Sequence, residues 1–136
     1  MFFPASVDPK TQTRSSARTG HYEAVQADRP NYHLITEQTV TRIIFKNKQA
    51  VGVEYTTESG APLMRALAKK EVILSAGAVH SPRILQLSGV ADKRLLSRLQ
   101  IPLIEDLPGV GANLQDHAAM FPPFMGKSPV SFIPPH

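Results

Sequence analysis

The residues that could do chemistry sit in two stretches. The first is Ser75-Ala76-Gly77-Ala78, almost without side-chain bulk, so a ligand can approach the backbone closely there. Placed at the carboxyl end of a strand and near a helix start, such a turn leaves room for the phosphate or ribose of a dinucleotide. The same small residues would also let a helix pack tightly on a sheet, and local pattern leaves both readings open. The second stretch is Gly109-Val-Gly111-Ala-Asn113, followed by Asp116-His117. Its third glycine is missing and proline-rich extended chain precedes it, so it is not a dinucleotide fingerprint. Asp116 and His117 have the composition of an acid–base couple, but adjacent side chains rarely point at one another, and a structural role is expected. His80 is expected to be half-exposed and without a catalytic role. His21, His33 and His136 lack metal-ligand spacing, so no metal site is expected.

The elements that would position these residues are readable in part. Val72-Ile73-Leu74 is an unbroken apolar run ended by small residues, which predicts a strand over 71–75 buried on both faces, as in a parallel sheet. Ser81-Pro82 predicts a helix over about 81–88, capped by the serine and ended by Gly89. Asp92 is the expected cap of a second helix over about 92–100, stopped by Ile101-Pro102. Upstream, Tyr32–Thr36 and Val40–Lys46 are rich in β-branched and aromatic residues, and Asn47-Lys48 sits where a turn is needed. Val51, Val53 and Tyr55 alternate with Gly52, Glu54 and Thr56, the pattern of a half-buried antiparallel strand. The result is a β-meander over about 32–69 feeding a parallel strand, an α/β arrangement. Ser15–Val25 is helix-compatible apart from Gly20, and 108–117 reads as a crossing loop. The stretch 121–136 reads as a proline-rich irregular tail.

With 136 residues the chain is long enough for one domain with a core. The formal charge of +4 comes from scattered lysines and arginines, which describes a solvated surface and not a nucleic-acid footprint. Zero cysteines exclude disulfides and thiolate metal sites. No apolar run approaches membrane-spanning length.

Three blocks in order, Glu71-Val-Ile-Leu-Ser-Ala-Gly-Ala-Val-His-Ser-Pro82, Ile84-Leu-Gln-Leu-Ser-Gly-Val90 and Asp106-Leu-Pro-Gly-Val-Gly-Ala-Asn-Leu-Gln-Asp-His117, closely resemble the glucose–methanol–choline (GMC) oxidoreductases, and most of all their fungal alcohol oxidases and dehydrogenases. The likeness runs from about Pro4 to Met120. It implies part of a Rossmann-like domain that binds flavin adenine dinucleotide (FAD). In the family a valine in the position of Val40 uses its backbone to meet the adenine, and Ala76 and Gly77 match the small-residue turn beside the dinucleotide. Asn113, with Asp116 and His117, falls in the loop that crosses toward the substrate domain near the flavin.

The implied activity is oxidation of a small-molecule alcohol, with hydride transfer to the flavin and a histidine taking the hydroxyl proton. That histidine belongs to a C-terminal segment without a counterpart here, and the family's Gly-x-Gly-x-x-Gly loop is missing too. The chain therefore reads as an internal fragment with no catalytic residue of its own. A non-catalytic nucleotide-binding or relic fragment is the alternative, and the missing fingerprint disfavours a nicotinamide-dependent dehydrogenase. Val72–Leu74 expect cover from other segments, so the isolated polypeptide is expected to aggregate or stay partly unfolded and to bind flavin weakly.

Overall fold

The computed structural model describes Val7, Asp8 and residues 10–118, so the expected tail over 121–136 lies outside the described residues. Two compact units are present, one of Met1–Thr39 with Thr56–Pro62 and one of Val40–Tyr55 with Leu63–His136.

In the first unit, the Asp8 carboxylate accepts the backbone N–H groups of Lys10 (2.8 Å) and Thr11 (2.9 Å), closing a turn beside the bridge between Val7 and Arg14. Those bonds, Thr11's foremost, hold the Asp8 carboxyl below its ordinary value. The helix expected over Ser15–Val25 shrinks to one π-helical turn, Arg18–Tyr22. It has no side-chain cap, no buried residue and Gly20 at its centre, so neither propensity nor packing extends it. Tyr22 meets Tyr32 edge-to-face with ring centroids 5.5 Å apart. The expected strand over Tyr32–Thr36 does not form, and Leu34 and Ile35 are exposed. Propensity there finds no partner strand to bond to.

The second unit holds most of the regular structure. Strands β1 (Thr39–Lys46), β2 (Gln49–Thr56) and β3 (Met64–Leu67) form a sheet in that order, with β1 and β2 starting and ending at the junction with the first unit. Asn47 and Lys48 take φ values of +49° and +65°, the left-handed pair that a two-residue hairpin turn needs. β2 and β3 are antiparallel, with Glu54 opposite Arg65. Period-two alternation holds along β2, but its deeper face is Gly52, Glu54 and Thr56, while Val51, Val53 and Tyr55 are only half-buried. The reason is electrostatic. Glu54, 2 % exposed, is bonded by Arg42 on β1 and by Arg65 (2.9 Å), whose long stems roof the carboxylate.

The Arg42 guanidinium, with Arg65 adding to it, holds the Glu54 carboxyl below the usual range against the opposing effect of burial. A depressed folded value means that this stabilisation is present above the unfolded glutamate value of about 4.3 and is lost as pH falls through the folded one. Glu54→Gln should therefore lower stability at pH 7 by about 1–3 kcal/mol, toward the smaller figure because both guanidinium groups keep water. It should also flatten the acid limb of a urea-midpoint-against-pH curve. An unchanged acid limb would refute the assignment.

The expected buried strand over 71–75 is not formed. The segment joins no ladder, Val72 and Leu74 are only half-buried, and Ile73 is 78 % exposed. A strand exists only where neighbours take up its peptide groups, and the described residues supply none. Helix α1 spans Gly77–Leu87, beginning four residues before the expected Ser81. Gly77 enters it at φ +85°, and Ser81, one turn inside, accepts the Ala76 N–H at 3.0 Å. Pro82 thus lies within the helix, not at its first position.

At the far end Gly89, φ +88°, turns the chain into β4 (Val90–Ala91). Ser88 ties α1 to the sheet by accepting the Ile43 N–H at 2.8 Å and donating to the Ile84 carbonyl. Asp92 caps α2 (Lys93–Arg98) as expected, accepting from the Arg94 and Leu95 N–H groups. Gln100, at φ +57°, ends it with Ile101 N–H bonded to the Leu96 carbonyl. β5 (Glu105–Asp106) then pairs in parallel with β4. The apolar core of this unit is Ile43, Ile84, Val90, Ala91 and Leu96.

Candidate functional site

The small-residue turn opens onto the start of α1. Ala76 and Gly77 are exposed, and a Cβ added to Gly77 would meet nothing within 4 Å. No atom of the described chain fills the space beside this turn, and the positive φ holds the position for glycine. The first N–H groups of α1 lack intrahelical partners there, as at any helix start.

Along the flank of α1 runs the second stretch. Gln86 donates from Nε2 to the Val110 carbonyl at 3.2 Å, pinning the loop to the helix. Gly111, φ +79°, passes so close that a Cβ would overlap Gln86 Nε2 and touch Pro82. Asn113 follows at φ +53°, its Oδ1 accepting from Gln115 Nε2 at 3.2 Å. Between this loop and Ala78, Val79 and Pro82 lies an open cleft of about 450 Å³.

The structure thus brings Asn113 to the helix that Gly77 begins. Val40 does not line that cleft. It is half-buried near the start of β1, an edge strand of its sheet. The Ile43 N–H points out of that edge to Ser88, so in a regular strand the peptide groups sharing its direction are those of Thr39 and Thr41, flanking Val40. Gln38, two residues before Val40 in the chain, has a buried Oε1 with no hydrogen-bond partner.

Asp116 accepts the His117 backbone N–H at 2.7 Å, so its carboxylate serves the main chain and the pair shows no side-chain relay. His80 is exposed on α1. Among the described residues no cluster of His, Asp or Glu could hold a metal, and no helix is long and apolar enough to cross a membrane.

Sequence reasoning passed over Gln86, and although it named Gly111 in its Gly-x-Gly spacing, it could not show that Gly111 packs against a residue 25 positions away.

The sequence matches the family model described as GMC oxidoreductase over residues 5–119. The chain belongs to the GMC oxidoreductase family. Its relatives include the dehydrogenase xptC of Emericella nidulans, 53 % identical over 113 residues, which are 83 % of this chain and 18 % of that protein. Among solved structures, a fungal aryl-alcohol oxidase is 44 % identical with a TM-score of 0.76, covering 83 % of this chain and 19 % of that one. An FAD-dependent oxidoreductase from Chaetomium thermophilum is 47 % identical with a TM-score of 0.72, covering 76 % and 18 %. The GMC chain therefore spans about a fifth of the length of the relatives it matches. The fold is part of an FAD-binding α/β domain, and FAD is the cofactor these neighbours indicate.

Proposed function

We propose that this GMC chain contributes FAD-binding elements to an enzyme that oxidises the CH–OH group of a small-molecule alcohol. The family match over residues 5–119 carries the reading. Two features of the chain fit a flavin nucleotide: the unfilled space at Gly77 and the start of α1, which has no side-chain cap. Val40, Ala76, Gly77 and Asn113 are the residues assigned to hold it, Val40 marking the outer edge of β1 where the flanking Thr39 and Thr41 peptide groups would face the adenine. Ala76 and Gly77 keep side chains away from the dinucleotide, and Asn113 lines the cleft beside α1. When bound, FAD supplies the hydride acceptor for alcohol oxidation. The chain's own task is to bind and orient that group, and none of its residues is assigned the proton transfer.

Grafting tests this. Residues 5–119 exchanged into the fungal aryl-alcohol oxidase relative should give a chimera that purifies with visible flavin absorption and oxidises an alcohol. Gly77→Val in that chimera should lower the bound flavin by at least about tenfold, since positive-φ strain and steric entry act together. A folded chimera without flavin would end the proposal. One that holds flavin but turns over no alcohol would favour a nucleotide-binding fragment instead.

A further inference from the structure

Three cross-strand residues of the second unit carry a charge imbalance. Glu54 on β2 is 2 % exposed and is bonded by Arg42 on β1 and by Arg65 on β3 (2.9 Å). Among the described residues neither guanidinium has another partner. Two cations therefore share one anion, and a guanidinium carries more N–H groups than one carboxylate takes up. The unspent groups are reachable, since the Arg42 and Arg65 side chains are 54 % and 67 % exposed. Seating Glu54 alone would need one guanidinium in a bidentate pair. The second adds like-charge repulsion, which a further anion would relieve.

Both arginines line one open cleft of about 270 Å³, together with apolar side chains that include Ile44, Phe45 and Ile101. All its lining residues belong to the second unit. None of Val40, Ala76, Gly77 and Asn113 lines it, so it is distinct from the residues assigned to the flavin. A single unmatched positive charge suits a monoanion, and the planar fork of a guanidinium suits a carboxylate. The apolar wall suits a hydrocarbon body. Glu54 already holds both guanidinium groups in place, so a second anion loses little to ordering them.

We propose that this cleft binds a small organic carboxylate, its head on the free N–H groups of Arg42 and Arg65 and its apolar body against Ile44, Phe45 and Ile101. The test uses the full 136-residue chain, labelled with ¹⁵N-arginine, and three probes: benzoate, benzyl alcohol and acetate. Benzyl alcohol keeps the ring without the charge, and acetate keeps the charge without the ring. Titration near pH 7, followed on the arginine Nε–H resonances, should show benzoate shifting those of Arg42 and Arg65. Benzoate should bind at least about tenfold tighter than either other probe. Arg42→Gln, which leaves Glu54 bonded by Arg65, should abolish the preference for benzoate over benzyl alcohol, a loss of about tenfold or more. Far-ultraviolet circular dichroism checks that the sheet is kept, and Arg65→Gln carries the same expectation should Arg42→Gln lose it. Acetate binding as tightly as benzoate would mean an adventitious ion only and would end the proposal. Benzyl alcohol binding as tightly as benzoate, undiminished preference in a folded arginine variant, or wild-type resonances that do not move would overturn it as well. Each of these outcomes leaves the FAD reading untouched.

Discussion

Gly89→Val should unfold much of the second unit. Gly89 sits at φ +88°, where a β-branched residue is strained whatever surrounds it. The surroundings are also closed. A Cβ would overlap the Pro102 carbonyl oxygen and press on Ile104 Cγ1. Neither is the far end of a flexible side chain that could swing aside. Gly89's own carbonyl accepts the N–H groups of Ile104 (2.8 Å) and Glu105 (3.2 Å), so the backbone cannot retreat without breaking the approach to β5. Strain and overpacking together predict a loss of about 3–5 kcal/mol. Gly89→Ala should lose about 2–3 kcal/mol by the same route. Urea midpoints followed by circular dichroism read both, and a Gly89→Val midpoint within error of wild type would show that the α1–β4 turn is not what locks the unit.

Leu96→Ala should have an effect of similar size for a different reason. Leu96 is 1 % exposed and is the largest apolar side chain fully buried among the described residues. Truncation removes its transfer free energy and leaves a cavity under α2, about 2–5 kcal/mol in all. Leu96→Met, which keeps the volume, should cost less than about 1.5 kcal/mol. If the two substitutions shift the midpoint equally, Leu96 is not a core anchor.

The fold was legible where the determinants lie close together in sequence. β-Branched runs on either side of Asn47-Lys48 specify the hairpin, because the turn and its strands are contiguous. Asp92 announces α2 because a cap reads only the next three residues. The misreadings share the opposite property. Tyr32–Thr36 and 71–75 have strand composition, but a strand is completed by chain elsewhere, and none of the described residues pairs with them. Which face of β2 is buried is not legible in the sequence, because Glu54 reads as a surface residue until Arg42 and Arg65 are seen across the sheet. The start of α1 was placed late because Ser81-Pro82 looks like a cap, whereas Gly77 had already made the turn. Of the site, the turn at Ala76-Gly77 and the loop at Asn113 were readable from composition and resemblance. Their apposition through Gln86 and Gly111 was not, since it depends on packing between distant segments.

The unladdered run over 71–75 has a further meaning for experiments on this molecule. Among the described residues no ladder takes up its amide protons, so they should exchange with deuterium near the rate of open chain. Any body that lays a strand alongside would slow them at once, while the amides of β1 and β2, already bonded, would scarcely change. Five consecutive residues thus form a built-in gauge of whether the sheet has been completed, and by what.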